Sequence, residues 1–338
     1  MTARGMAAAA PASTLGALIT TVARQRELSL LAIMTVLFAF VALRAPQFLT
    51  LSNLTQVVVL ASIIAIAAVG QALVVITRNV DLSIESTIGL VAFVVADLLK
   101  LHVLPVPAAM AAGIGLGLAL GIINGTIVSA FRVPAIVATL GTLGIYRGLD
   151  YLIAGGKEVS LSELPAGYTA PASTSIAGIP LFAVIAIILV VVAAWTLRQT
   201  RFGRQIYAVG SNPDAATTLG IPSRFVVFVA FALCGALGGV AGVLWGIEFG
   251  TINATSANGA VLAVIAAVVV GGVNIFGGSG TVVGAALGAL FLGLISNALI
   301  LLDLSQFWLQ AVYGVVILVA VAADAVLLRR AQRVVAQR

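Results

Sequence analysis

The stretch from Ser211 to Pro222 reads SNPDAATTLGIP and carries the signals of a short helix with both ends marked. Ser211 or Asn212 can accept hydrogen bonds from the free amides of a first helical turn, and Pro213 suits the first helical position. Gly220 can adopt the left-handed conformation that ends such a helix. Because a helix of about two turns is too short to be stable alone in water, we expect this segment to dock on a partner.

The rest of the chain is far more apolar than this stretch. Of its 338 residues 62% are hydrophobic and 8% are charged, whereas a soluble domain carries about 25% charged residues. Cys234 is the single cysteine and His102 the single histidine, which excludes a disulfide framework and a metal site built from several histidines. The sequence therefore predicts a membrane protein that binds no metal ion and no cofactor of its own.

The apolar residues fall into about ten segments near the length that a helix needs to cross a bilayer. We therefore predict an all-α polytopic membrane protein. The predicted spans are 28–43, 54–77, 82–99, 107–130, 134–154, 179–197, 223–247, 258–275, 281–302 and 306–328.

The distribution of positive charge predicts the orientation of these spans. The net charge of +6 does not indicate nucleic acid, because the arginines stand at the ends of apolar segments. An N-terminus inside the cell leaves only Arg44, Lys100 and Lys157 clearly outside and places both termini inside. It gathers most basic residues on the cytoplasmic side, namely Arg4, Arg24, Arg26, Arg78, Arg132, Arg198, Arg201, Arg204, Arg224, Arg329, Arg330, Arg333 and Arg338.

Three regions follow from this topology. Residues 1–27 form a cytoplasmic tail, residues 28–328 form the membrane domain with its long inner loop at 198–222, and residues 329–338 form a second cytoplasmic tail. Five spans precede and five follow the polar outer loop at 155–178. An odd number of spans in each half suggests an inverted repeat, as in many transporters.

The chain has no phosphate-binding loop of the form G-x-x-x-x-G-K-[ST]. Its glycine-rich run at 271–281, GGVNIFGGSGT, contains no lysine. If the protein moves a solute uphill, the energy must come from an ion gradient or from another subunit. An ion-coupled secondary carrier that works without an ATPase is therefore one alternative, and a subunit of an ATP-driven importer is the other.

Polar residues within or beside the spans are candidates for a translocation pathway. In RNVDLSIES, Asp81 or Ser83 can cap the third span, or the segment can be a broken helix whose freed backbone groups line the pathway. The other candidates contact a sugar-like solute, or bond helices to each other or form a tight turn. They are Asn124, Thr139, Thr142, Gly271, Gly272 and Asn274. Gly113, Gly117 and Gly121 recur every four residues, which indicates close helix packing.

The inner loop resembles the coupling loop of ABC importer permeases of the ribose and monosaccharide family. The similarity lies in TRFGRQIYAVGSNPDAATTLGIP at 200–222, VPAIVATLGTLGIYRG at 133–148 and NVDLS at 79–83. The family often has two glycines before Asp-Leu-Ser and one after it, where this chain has Arg78, Asn79 and Glu85.

The resemblance implies a permease subunit without catalytic activity in the bacterial cytoplasmic membrane. It implies a second permease subunit, two cytoplasmic ATPase subunits that bind ATP and Mg²⁺, and a periplasmic or lipid-anchored solute-binding protein. The implied cargo is a monosaccharide or a related small polar solute, with rhamnose-type and autoinducer-2-type permeases the most similar. The residues implied to couple to the ATPase are Arg201, Gly203, Arg204, Asp214, Ala215, Ala216 and Gly220.

Overall fold

The computed structural model describes residues 26–305 and 307–336, and the chain in these ranges is a bundle of α-helices. A two-stranded hairpin, β1 (Ser175–Ile176) with β2 (Ile179–Pro180), and 3-10 helices at Pro46–Leu49, Leu161–Glu163 and Ala170–Ser173 complete it. The α-helices are α1 (Arg26–Arg44), α2 (Leu51–Ile76), α3 (Ile84–Lys100), α4 (Val106–Ser129), α5 (Ala135–Ala154), α6 (Ala166–Thr169), α7 (Leu181–Gln199), α8 (Arg201–Ser211), α9 (Pro213–Thr218), α10 (Ser223–Phe249), α11 (Ala260–Val270), α12 (Val282–Leu301) and α13 (Phe307–Ala336).

Each of the ten predicted spans overlaps one of these helices, but that all ten cross the membrane stays a prediction. By length and composition, six helices in the described ranges can cross a membrane, namely α1, α2, α4, α7, α10 and α12. The predicted span 258–275 is wrong in extent: α11 covers only 11 residues, because the chain turns at Gly271 and Gly272. The predicted tail 1–27 lies almost wholly outside the described residues, and α13 continues past 328 to Ala336.

The centre of the bundle is the contact between α4 and α10, where glycines let the two backbones meet. A Cβ at Gly117 would stand 2.5 Å from Gly235 O and 2.6 Å from Gly239 Cα. A Cβ at Gly121 would stand 2.5 Å from Phe231 O, and one at Gly113 would meet the side chains of α3 and α10. The predicted packing role of these three glycines is thus confirmed.

The two ends of the bundle differ in structure. At one end lie α8 and α9, together with the turns at 77–83 and 271–281. At the other, the loop at 155–178 packs on the bundle through Val159, which pairs with Ile252, and through buried Tyr168, which donates to Val243 O at 3.2 Å. Glu163 there pairs with Lys100 at 2.9 Å. The hydrogen bond from the Ser160 amide, and to a smaller extent the contact with Lys100, lowers the pKa of Glu163 to about 2.

We predict that Gly117→Val destabilises the protein strongly, because its added atoms would overlap the α10 backbone. Overpacking of a tight contact costs about 1–3 kcal/mol, and a backbone contact leaves little room to relax. Gly115→Val on the same helix is the matched control, because a Cβ there has nothing within 4 Å. Thermal unfolding of the detergent-solubilised chain measures both variants, and equal melting temperatures would contradict the α4–α10 contact.

Candidate functional site

The segment that opened the sequence analysis forms α9, and its ends are built as the sequence predicts. Asn212 accepts from the Ala215 amide at 3.0 Å and is the N-terminal cap, while Pro213 takes the first helical position. Gly220 has a φ of +79°, and the Ile221 amide donates back to Ala216 O at 3.0 Å. This left-handed closure fixes where the helix stops.

A second helix, which the sequence analysis did not predict, precedes α9 in the inner loop. In α8, Thr200 is the N-terminal cap and accepts from the Gly203 amide at 3.1 Å. A Cβ at Gly203 would stand 2.3 Å from Leu197 O, so only glycine permits the sharp bend between α7 and α8. The loop is therefore a pair of capped helices.

The residues expected to contact an ATPase divide into two groups by exposure. Gly203 and Ala216 are buried against the bundle and set the course of the chain, and Gly220 ends α9. Gly220 is exposed as well. We name the other exposed members, together with Leu219, which is 80% exposed, the coupling surface: Arg201, Arg204, Asp214, Ala215 and Leu219. It contains one large apolar side chain and charges of both signs.

Three turns meet where α8 ends, and we name this contact the inner junction. Arg78, which follows α2, donates from Nε to Gly210 O at 2.5 Å and from Nη2 to Ser211 O at 2.6 Å. The Gly278 amide donates to Ile76 O at 2.9 Å. A Cβ at Gly210 would stand 1.7 Å from Ile76 O, so any side chain at 210 would force α8 away from α2.

The turn at 271–281 forms the third side of the inner junction. Tyr207 of α8 donates to Gly280 O at 2.8 Å, and burial raises the pKa of this tyrosine. Asn274 shapes the turn, because its side-chain oxygen accepts from the Phe276 amide at 2.8 Å. Asn274 lines a cavity with Arg78 and Ser211, whereas Gly271 packs against α12, where a Cβ would stand 2.2 Å from Gly284 O. The part of Gly271, Gly272 and Asn274 in a solute pathway stays a prediction.

The other candidate pathway residues form a polar network inside the bundle. Asp81 Oδ1 accepts from the Ser83 amide at 2.9 Å and from Ser83 Oγ at 2.7 Å, so it organises the turn before α3. Asn124 of α4 donates to Ser83 Oγ at 2.7 Å, and Tyr146 of α5 donates to Leu120 O at 3.0 Å and lies 3.3 Å from Asn124 Oδ1. The network joins α3, α4 and α5.

Thr139 and Thr142 lie on the α5 face that packs against this network. Thr139 donates to Ala135 O at 2.8 Å and lies 3.3 Å from Val80 O, and Thr142 donates to Thr139 O at 3.3 Å. The network residues are all almost fully buried and find their partners within the protein. The sequence analysis gave two roles for these residues, contact with a solute or bonding between helices. In this conformation they bond elements of the bundle together.

Two residues that the sequence analysis did not name as site residues, Arg78 and Gln71, connect these two regions. Arg78 and Asp81 stand in the same turn, so one short segment contacts both α8 and the buried network. Gln71 of α2 is fully buried and, once its amide is oriented to satisfy both groups, donates to Asp81 O at 3.2 Å and accepts from Asp81 N at 3.1 Å. A lone amide within the apolar run of α2 was the signal in the sequence.

Comparison of the sequence with known proteins identifies its family. Residues 53–321 match the family described as the permease component of the branched-chain amino acid transport system. The chain belongs to this permease family. No solved structure matches it significantly.

The permease is also similar to two curated proteins, each named "Autoinducer 2 import system permease protein LsrC". The protein of Salmonella typhi is 38% identical over 293 residues, covering 87% of this chain and 84% of its own. That of Escherichia coli K12 is 38% identical over 299 residues, covering 88% and 86% respectively. The permease is thus a multi-pass membrane component of an ABC importer system, as the resemblance in the inner loop implied.

We predict that Arg78→Ala loosens the inner junction, because two carbonyls at the end of α8 lose a charged donor. A hydrogen bond to a charged group contributes about 1.5–3 kcal/mol, so amide hydrogen exchange in residues 201–218 should become about tenfold faster. Arg132→Ala is the matched control. Arg132 also has a positive φ, of 58°, but its exposed side chain donates no hydrogen bond to a described residue. Unchanged exchange in Arg78→Ala would contradict the junction.

Proposed function

We propose that this permease is one of two membrane subunits of an importer for autoinducer-2 or a similar hydroxyl-rich solute of monosaccharide size. Separate cytoplasmic ATPase subunits bind the coupling surface and drive the transport, and an external solute-binding protein delivers the cargo. The observation that carries this proposal is the short helix α9, which is capped at both ends and followed by the exposed Leu219. It directly follows α8, whose last carbonyls Arg78 fastens to the bundle.

The geometry of α8 and α9 supports the transmission of force. A capped helix keeps its shape when a partner pushes on it, and Leu219 supplies apolar contact within a charged surround. Movement of α8 is passed to the turn at 77–83 by the Arg78 hydrogen bonds, and from there through Asp81 and Ser83 to α4. ATP binding elsewhere can thus bias the bundle between two arrangements without touching the cargo.

The cargo class rests on the relatives. The LsrC proteins are named for autoinducer-2 import, and similarity extends along most of both chains. The candidate pathway side chains here are mainly uncharged hydroxyls and amides, which suit a neutral solute with several hydroxyl groups. We assign selectivity among such solutes mainly to the external binding protein.

We predict that Leu219→Asp weakens ATPase binding and lowers uptake of autoinducer-2 about tenfold, the effect of losing roughly 1.4 kcal/mol at the centre of an interface. Gly220→Pro should act in the same direction, because proline cannot adopt the φ of +79° that ends α9. Leu101→Asp is the matched control, since Leu101 is 61% exposed at the opposite end of the bundle.

The measurement uses intact cells and the full chain with a photo-crosslinking residue at position 215. We expect the crosslinker to capture a protein that contains a G-x-x-x-x-G-K-[ST] loop, and Leu219→Asp to abolish this capture while leaving the chain in the membrane. Capture and uptake at wild-type levels in both variants would contradict the coupling surface. Uptake by the purified permease in proteoliposomes, driven by an ion gradient without an ATPase, would favour the secondary carrier.

A further inference from the structure

The chain is not helical between α10 and α11, and this interruption is held by charged side chains. Residues 250–259 contain three positive φ angles, at Gly250, Ala257 and Gly259, and much of the segment is buried. Buried backbone groups freed by such an interruption must find partners in the protein. Ile252 pairs with Val159 of the loop at 155–178, and the residues from 254 to 261 also find partners on α3 and α5.

Glu85 of α3 holds the start of α11. Its Oε2 accepts from the Gly259 amide at 3.0 Å and lies 3.3 Å from the Val261 amide. These amides are the free donors at the positive end of an 11-residue helix, where a carboxylate is favoured. Glu85 therefore fixes where α11 begins.

Arg147 of α5 holds the preceding residues. Its Nη1 donates to Ala254 O at 3.0 Å and to Ser256 O at 3.2 Å, and its Nη2 lies 3.5 Å from Glu85 Oε1. Both side chains of this ion pair are mostly buried, with 11% and 13% exposed. We name Glu85 and Arg147 the clasp, because together they fasten residues 254–261 to α3 and α5.

A second carboxylate stands beside the clasp. Asp150 lies one helical turn after Arg147, it is fully buried, and neither of its carboxylate oxygens has a hydrogen-bond partner among the described residues. A Cβ at Gly89 would stand 3.3 Å from Arg147 Nη1 and 3.4 Å from Asp150 Oδ2, so both groups approach the same point on α3. A buried carboxylate without a partner is costly, and such residues in membrane spans often mark function.

We infer that Arg147 exchanges its carboxylate partner during transport, leaving Glu85 for Asp150 when the clasp opens. In the closed arrangement described here, Nη1 bonds two backbone carbonyls, while Nη2 forms only the 3.5 Å ion pair with Glu85 and has no hydrogen-bond partner among the described residues. In the open arrangement it pairs with Asp150 on its own helix, and residues 254–261 are released from α5. Both arrangements give Arg147 a carboxylate partner, which is the property that a two-state element requires. The inference rests on the proposed function, and it makes Glu85, Arg147 and Asp150 positioning residues for the transport cycle.

The variant that tests this inference is Asp150→Asn, which removes the second partner and leaves the closed clasp untouched. We expect amide exchange in residues 250–261 to become about fivefold slower, within the usual range of coupling between sites. Exchange in α2 should stay at the wild-type rate, whereas a purely structural effect of removing a buried charge would change exchange throughout α5 and leave residues 250–261 as they were. The experiment uses the full chain in lipid nanodiscs and requires neither ATPase nor cargo.

Three further variants serve as comparisons for the exchange rate of residues 250–261. Glu85→Gln weakens the closed arrangement and should speed exchange in residues 250–261, while Asp150→Glu should restore the wild-type rate in part. Asp97→Asn, a partly exposed carboxylate of α3, is the control. In the assembled importer Asp150→Asn should also lower ATP hydrolysis about tenfold, as expected when a conformational step is blocked. Wild-type exchange at residues 250–261 in Asp150→Asn would overturn the partner exchange even if the coupling surface is confirmed.

Discussion

A polypeptide that interrupts its helices within a membrane bundle must supply partners for the freed backbone groups from its own side chains. Within the described residues this chain does so at several places. Gln71 bonds the backbone of Asp81 in the turn at 77–83, and Arg78 bonds the carbonyls that end α8. Glu85 with Arg147 bonds the segment between α10 and α11. Each interruption is thereby joined to other helices by a few named hydrogen bonds, which are the contacts that a change in arrangement would have to break.

The features that could be predicted from the sequence are those fixed by neighbouring residues. The limits of α9 follow from Asn212, Pro213 and Gly220, because each of these residues affects only the backbone within about one helical turn. In the structure all three have the expected roles. The packing role of the α4 glycines could also be predicted, because small residues repeated every four positions lie on one helix face. The resemblance to ABC importer permeases rested on the inner loop at 200–222 together with the stretches 133–148 and 79–83, and the family match extends over residues 53–321.

The features that could not be predicted depend on partners distant in the sequence. The partners of Arg78 lie 132 and 133 positions further along the chain, and those of Arg147 lie 107 and 109 positions further along. No local sequence pattern could predict either contact. The glycine run at 271–281 was predicted either as pathway or as a turn, because glycine permits both. The fold places that run against α8, where Gly210 and Gly278 allow three backbones to meet.

Two of the three departures from the family pattern near Asp81, Arg78 and Glu85, make contacts that a glycine could not make. Arg78 has a φ of 66°, a conformation that costs a non-glycine residue about 1–2 kcal/mol, and its two charged hydrogen bonds to α8 offset that cost only while α8 is docked. Glu85 likewise is stabilised in the interior only while the start of α11 and Arg147 surround it. A glycine at either position would have no side chain to bond α8 or α11, so its free energy would depend less on where those helices lie. The charged residues instead join the turn at 77–83 to α8 and the start of α3 to α11, which is the connection that the proposed coupling requires.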